Sequence, residues 1–149
     1  MTIRLAQIED APGISSLLKS YAESENITGD LSPRRIREKL AFKDDFFLVT
    51  GQENIVGVIR LSLIDLDLAE IRYLVVAPEK RKSGIGSALL KEALSFLENR
   101  EMRKVITRCK STNEVALTIF EKNGFEKEGH FRSHYRHGID IIQLCLFIK

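Results

Sequence analysis

The sequence predicts an α/β (α+β) domain with a mixed, mostly antiparallel central sheet flanked by helices, in the order β-α-α-β-β-β-α-β-α-β-β. Three observations carry that reading. Three strand-like runs between residues 46 and 77 are joined by short polar turns, the pattern of an antiparallel meander. A strand, a basic glycine loop and a helix follow over residues 70–97 and lead to another strand, as in a parallel crossover. Two last apolar runs, residues 125–131 and 139–147, flank a polar turn and form a C-terminal hairpin.

In chain order, residues 2–6 alternate and read as a first strand. Asp10 can cap a helix that has Ala11 and Pro12 in its first turn, and Ile14, Leu17, Leu18 and Tyr21 give it one apolar face. The polar segment 23–30 breaks it. Ser32 and Pro33 restart a helix, serine as N-cap and proline at its first position. Ile36 and Leu40 are its buried stripe, and residues 43–45 end it. Strand 46–50, turn 51–54 and strand 55–63 follow, with Asp65 and Asp67 in the next turn. Residues 71–77 are rich in β-branched and aromatic side chains, and Pro78 stops that strand. Ser83 or Gly84 opens helix 84–99. Strand 104–108 comes next, then helix 113–122 with Val115, Ala116, Ile119 and Phe120 inward. Asn123 and Gly124 end that helix, glycine taking the left-handed conformation. Residues 134–138 are the expected turn of the last hairpin.

At 149 residues the chain is long enough for one domain, 1–149, with a real core. The formal net charge is only +2, so nothing global calls for nucleic acid. Basic clusters at Arg34, Arg35 and Arg37 and at Arg103 and Lys104 read as solvated faces. Cys109 and Cys145 lie in apolar runs without a C-x-x-C partner and read as buried free thiols of a reducing compartment. The N-terminus shows no signal-peptide core, and no run approaches a membrane span. The expectation is a cytoplasmic protein with no membrane partner.

Chemistry concentrates at residues 70–87. A helix N-terminus offers unpaired N–H groups and partial positive charge, which suits a phosphate. Gly84 and Gly86 let an anion approach the backbone, and Arg81 and Lys82 add charge and donors. The third glycine of the dinucleotide-binding fingerprint is missing, as is the lysine of the P-loop. A phosphate-cleaving nucleotide enzyme is disfavoured, since it would also need a metal-binding carboxylate pattern.

What is present, Arg81-x-x-Gly84-x-Gly86 after a strand, resembles the acetyl-coenzyme-A motif of the GNAT family of N-acetyltransferases. Asn113-x-x-Ala116-x-x-Ile119-Phe120-Glu121-Lys122-x-Gly124-Phe125 resembles that family's second signature, on the expected helix. The resemblance implies the GNAT fold, acetyl-CoA as cosubstrate and an amine acceptor. It assigns coenzyme contacts to Leu74, Val75, Val76, Arg81, Lys82, Ser83, Gly84, Ile85, Gly86, Ser87, Asn113, Ala116 and Phe120. The backbone of Leu74 and Val76 would pair with the pantetheine arm like an added strand. The Val76 N–H would be the oxyanion donor. The family also has a bulge that splays this strand from the next, a feature with no visible signal in this sequence.

Acetyl transfer to an amine needs a base, an oxyanion donor and an acid for the leaving thiolate. Glu70, fourteen residues before Gly84, resembles the base glutamate of the histone-acetyltransferase branch. Phe120 stands where many relatives have the acid tyrosine, and phenylalanine cannot donate. Tyr135, ten residues after Phe125, matches the acid tyrosine of the ribosomal-protein-alanine acetyltransferase branch. The plain alternatives are a strand-start surface glutamate and a hairpin aromatic. Tyr73 reads as core. His130, His134 and His137 are not placed on one face by their spacing, so no metal is expected. With Arg132 and Arg136 they line a substrate mouth or decorate a turn. In this fold the loop after the first helix and the last hairpin wall the acceptor groove. Here the loop carries Glu23, Glu25 and Asp30, which suit a cationic amine, and the hairpin is basic, which suits an acidic or carboxylate-bearing one. Glu25-Asn26-Ile27 keeps two residue types of the element found in the N-terminal-peptide branch. Peptide N-termini, lysine side chains and small amines such as polyamines stay open as acceptors, with a second copy of the chain as a further candidate partner. The rival reading is a coenzyme-binding module without turnover.

Overall fold

The computed structural model describes residues 1–25, 29–135 and 138–148; the side chains of residues 23–25 lie outside that description. Its elements follow the expected order. They are β1 (Ile3–Leu5), α1 (Ala11–Glu25), α2 (Pro33–Leu40), β2 (Asp45–Thr50), β3 (Gly57–Leu63), β4 (Leu68–Val76), α3 (Ile85–Asn99), β5 (Lys104–Lys110), α4 (Glu114–Lys122), β6 (Glu126–Tyr135) and β7 (Ile139–Phe147). The strands form one sheet, β1-β2-β3-β4-β5-β7-β6, in which only β4 and β5 run parallel.

Local chemistry sets several element ends. The Ser32 hydroxyl accepts the Arg35 amide, and Pro33 occupies the first helical position of α2. The Asn113 side chain accepts the Ala116 amide at 3.2 Å and caps α4. Gly124, at φ 94°, turns the chain out of α4 where a Cβ would be strained. Asp10 sits just before α1, but its carboxylate reaches back to the Gln7 amide and to Arg4 at 2.7 Å, so it braces the entry and does not cap the helix.

The core lies on both faces of the sheet. On one, α3 and α4 bury Leu89, Leu90, Ala93, Leu97, Leu117 and Phe120 against β3, β4, β5 and β7. On the other, α1 and α2 bury Ala11, Ile14, Leu17, Leu18 and Ile36 against β2, β3 and β4. Gly57 permits the close crossing of α3: a Cβ there would stand 2.8 Å from Leu89 and 3.0 Å from Ile85.

Three local expectations are corrected. Helix α1 continues through Glu25, so Glu23 and Glu25 belong to its last turn; the sequence has no proline or glycine between Gly13 and Gly29 to stop it earlier. In α4, Val115 faces solvent at 70% exposure and Leu117 takes the core position, with Ala116 and Ile119 flanking. Strand β6 runs on to Tyr135, past the expected turn start at residue 134. It can do so because residues 132–134 bulge opposite Asp140.

Candidate active site

The site begins where β4 and β5 part. They pair from Leu68↔Lys104 to Ile71↔Thr107 and no further. At that last rung the Thr107 hydroxyl donates to the Ile71 carbonyl at 3.1 Å, inside the core. The next residue, Arg72, is a bulge: β3 pairs Arg60 with Tyr73 but Leu61 with Ile71. An extra residue bends and twists its strand. Beyond it β4 keeps β3 as a neighbour and leaves its other edge free of β5.

Backbone alternation fixes what that edge offers. Ala77 donates to the Val56 carbonyl at 2.8 Å, so Ala77, Val75 and Tyr73 direct their amides and carbonyls toward β3. Leu74 and Val76 then direct theirs into the opening. Consistent with this, Arg81 Nε reaches the Val76 carbonyl at 3.3 Å.

The loop above the opening is built from two left-handed residues, Lys82 at φ 62° and Gly84 at φ 86°. The Ser83 hydroxyl donates to the Lys80 carbonyl and holds the turn. Gly84 is the N-cap of α3 and supplies no side chain to the first turn, so the amides that follow are left for another acceptor. A Cβ at Gly84 would meet nothing within 4 Å, and one at Gly86 only Ile119 at 3.5 Å and Val76 at 3.8 Å. Open space, outward amides and adjacent Arg81 and Lys82 fit a pyrophosphate. The edge at Leu74 and Val76 fits a pantetheine arm.

The other assigned residues are distributed unevenly. Asn113 uses its side-chain oxygen on the α4 cap. Ala116 packs against the core beside it. Phe120 is 3% exposed and edge-to-face with Phe125, so its ring is committed to the core. Glu70 is buried at the closed end of the opening, paired through β3 to Ser62 and through β5 to Ile106. Its carboxylate meets Arg72 Nη1 at 3.1 Å. Arg72 Nε donates to the Ser62 hydroxyl at 3.2 Å, Ser62 donates to Asp45, and Asp45 pairs with Arg60 at 2.9 Å. A chain of five polar side chains thus runs behind the opening. Tyr73 packs beside it, 6.4 Å from the Phe47 ring. Burial pushes its phenol far above the ordinary range, and nearby Arg60 offsets only part of that. Tyr73 therefore stays neutral.

Tyr135 ends β6, 58% exposed, its ring edge-on to His134 at 4.9 Å. His130 Nε2 lies 2.7 Å from Asp140, and the Ser133 amide donates to the same carboxylate at 2.8 Å. The Ser133 amide, then His130, hold Asp140 below the usual carboxylate range. His130, Ser133 and Asp140 bound a concavity in the hairpin together with Phe131, Arg132 and His134. His137 and Arg136 lie outside the described residues, as do Asn26 and Ile27 and the side chain of Glu25. Asp30 accepts from the Ser32 amide at 3.0 Å and steadies the entry to α2. Among the described residues no cluster of three metal-ligating side chains occurs. No described helix is long and apolar enough to cross a membrane. Cys109 and Cys145 are free and buried, and burial pushes the Cys109 thiol up to about 11.

Three contributors escaped the sequence reading: Thr107, Gly57 and Arg72. Thr107, a hydroxyl within an apolar strand, was a usable signal. So was Gly57, since an isolated strand glycine marks close backbone approach. Arg72 had none, because a bulge depends on strand register; Lys82 was named for its charge, but its left-handed backbone depends on loop closure.

The sequence matches the model of the acetyltransferase (GNAT) family over residues 14–125. An uncharacterised N-acetyltransferase of Chlorobaculum tepidum is 29% identical over 128 residues, covering 86% of this chain and 74% of that protein. Human N-alpha-acetyltransferase 30 is 29% identical over 79 residues, covering 53% of this chain and 22% of that protein. The chain spans less than half the length of several curated relatives it matches. In fold it is similar to the ribosomal-protein-alanine N-acetyltransferase of Brucella melitensis, with a TM-score of 0.87 at 20% identity over 99% of this chain and 100% of that one. The family match, covering most of the chain and both motif helices, identifies this protein as a member of the acetyltransferase (GNAT) family.

Proposed function

We propose that this chain is an N-acetyltransferase that moves the acetyl group of acetyl-CoA to a primary amine by direct attack in a ternary complex. The observation that carries the reading is the parting of β4 from β5 after Ile71 and Thr107, under an uncapped α3 N-terminus. Acetyl-CoA would supply the activated thioester. The chain's part is to hold its phosphates with the amides of residues 81–87 and Arg81, and its arm with the outward edge of Leu74 and Val76. The Val76 N–H, facing the opening, donates to the oxygen that gains charge. Glu70 takes the proton of the amine, directly or through a water, from its place at the closed end. Tyr135 is the proposed acid, since Phe120 has no hydroxyl and is shut into the core. The acceptor belongs to the amines named above, and a cytoplasmic location fits the reading.

Coenzyme-dependent thiol release, measured with peptides, amino acids and polyamines, tests this. Release with at least one amine is expected. Tight coenzyme binding with no release to any amine supports the rival, a coenzyme-binding module, which the hydroxyl-free Phe120 favours.

A further inference from the structure

We propose that Arg72 and Arg108 form a carboxylate subsite on the acceptor side of the opening, so that the acceptor is a primary amine carrying a carboxylate near the amine, as an amino acid does. This rests on the acetyltransferase reading above.

The two arginines are placed by register. Ile71 and Thr107 are the last paired residues of β4 and β5, and Arg72 and Arg108 come next on each strand. They stand on the two lips of the opening. Both side chains lie on the sheet face away from α3 and α4. Arg72 is bonded there to Ser62 and Glu70. Arg108 follows the alternation that sends Val105 and Cys109 into the α3–α4 core; it bonds Gln143 at 3.0 Å and stacks 5.5 Å from the Phe131 ring. The phosphate loop belongs to the face carrying α3, so an amine meeting the thioester across the opening comes from the opposite face, where these arginines are.

Their hydrogen bonds leave the useful edges exposed. Arg72 is fixed through Nε and Nη1, and Arg108 through Nε. Among the described residues neither Arg72 Nη2 nor the Arg108 Nη atoms have a hydrogen-bond partner. Both residues are exposed; Arg108, held at Nε, presents its two Nη atoms as a fork that matches a carboxylate, and Arg72 adds the single nitrogen Nη2.

The surroundings favour an anion over a polycation. Asp45, Glu70 and Glu128 are each already paired, with Arg60, Arg72 and Lys104. Lys39 adds charge beside Arg60; burial, then Arg60 and Arg35, pull its pKa down. Among the described residues the buried Arg60 Nε has no hydrogen-bond partner, which leaves a donor to spare on this side of the sheet. A polyamine would have to displace Arg60, Arg72 or Lys104 from the carboxylates they already hold. An incoming carboxylate would instead share Arg72 with Glu70.

The test uses thiol release from acetyl-CoA, with the protein amino acids each compared with their α-carboxamides, which mimic peptide N-termini, and with spermidine. The preferred amino acid should exceed its carboxamide at least about tenfold in kcat/KM. Arg72→Gln and Arg108→Gln should each reduce that ratio severalfold, Arg72→Lys should fall between, and coenzyme affinity should hold in all three. Because the same two acceptors are compared in each protein, their differing amine pKa values cancel from the change in ratio. A carboxamide or spermidine used as well as any amino acid overturns the subsite and leaves the acetyltransferase reading standing. Equal losses on both acceptors in the folded variants also overturn it. No release with any amine removes both.

Discussion

The Thr107 hydroxyl donates to the Ile71 carbonyl at 3.1 Å across the last rung joining β4 to β5. That carbonyl is buried at the point where the ladder stops, and the hydroxyl completes its bonding while the strands turn apart. Thr107→Val keeps the shape and removes the donor. A buried carbonyl left without a partner costs about 1–3 kcal/mol. Urea unfolding should show that loss at constant slope, with weaker coenzyme binding because the apex of the opening loosens. Thr107→Ser should retain most of both. A Thr107→Val protein as stable as the parent would mean the strands part for another reason.

Gly57 positions the α3 N-terminus through a different contact. A Cβ there would stand 2.8 Å from the Leu89 methyl and 3.0 Å from Ile85, so both side chains must give way. Gly57→Val should therefore destabilise the fold by about 1–3 kcal/mol, as overpacking does. It should also weaken coenzyme binding, because Ile85 lies in the first turn of α3. Equilibrium unfolding and coenzyme titration on the same variant check both halves.

Gly84 separates the loop's conformation from its function. Its φ of 86° is left-handed, yet nothing lies within 4 Å of where a Cβ would be. Gly84→Ala should cost about 1–2 kcal/mol in strain alone. Gly84→Glu adds bulk and negative charge over the same amides and should abolish measurable coenzyme binding, while its thermal midpoint stays near that of Gly84→Ala. Retained affinity in Gly84→Glu would refute the phosphate cradle.

Features written in local chemistry were legible in the sequence: the Ser32–Pro33 start of α2, the Gly124 stop of α4 and the glycine loop before α3. Each depends on a few neighbouring residues, so the residue types announce it. The bulge at Arg72 was not legible, because it exists only relative to the register of β3. The pairing of Glu70 with Arg72 follows from that bulge and was hidden with it. The inward face of α4 was misread for a related reason. Val115 and Leu117 are both apolar, and only the docking of the helix on the sheet decides between them.

That docking makes its own prediction. Leu117→Ala should cost about 2–5 kcal/mol, the range for truncating a buried leucine. Val115→Ala should change stability by less than about 0.5 kcal/mol, as exposed substitutions do. Chemical denaturation of the two variants side by side reads out the helix orientation; the reverse order would restore the face expected from the sequence.

Glu70 and Tyr135 are proposed for the same reaction but stand in unlike surroundings. Glu70 is buried beside Arg72, and Tyr135 is exposed at the end of β6. A positioned acid or base contributes about 10²–10⁴ in rate. Glu70→Gln should lower kcat by at least about a hundredfold on the best acceptor and leave coenzyme affinity unchanged. Tyr135→Phe keeps the ring and deletes only the hydroxyl, so a comparable fall in kcat would place that hydroxyl in proton transfer. The two changes together should lose less than the product of the single losses, since groups serving one step are not additive. A Tyr135→Phe enzyme at full rate would remove Tyr135 from the chemistry. The leaving thiolate would then take its proton from water.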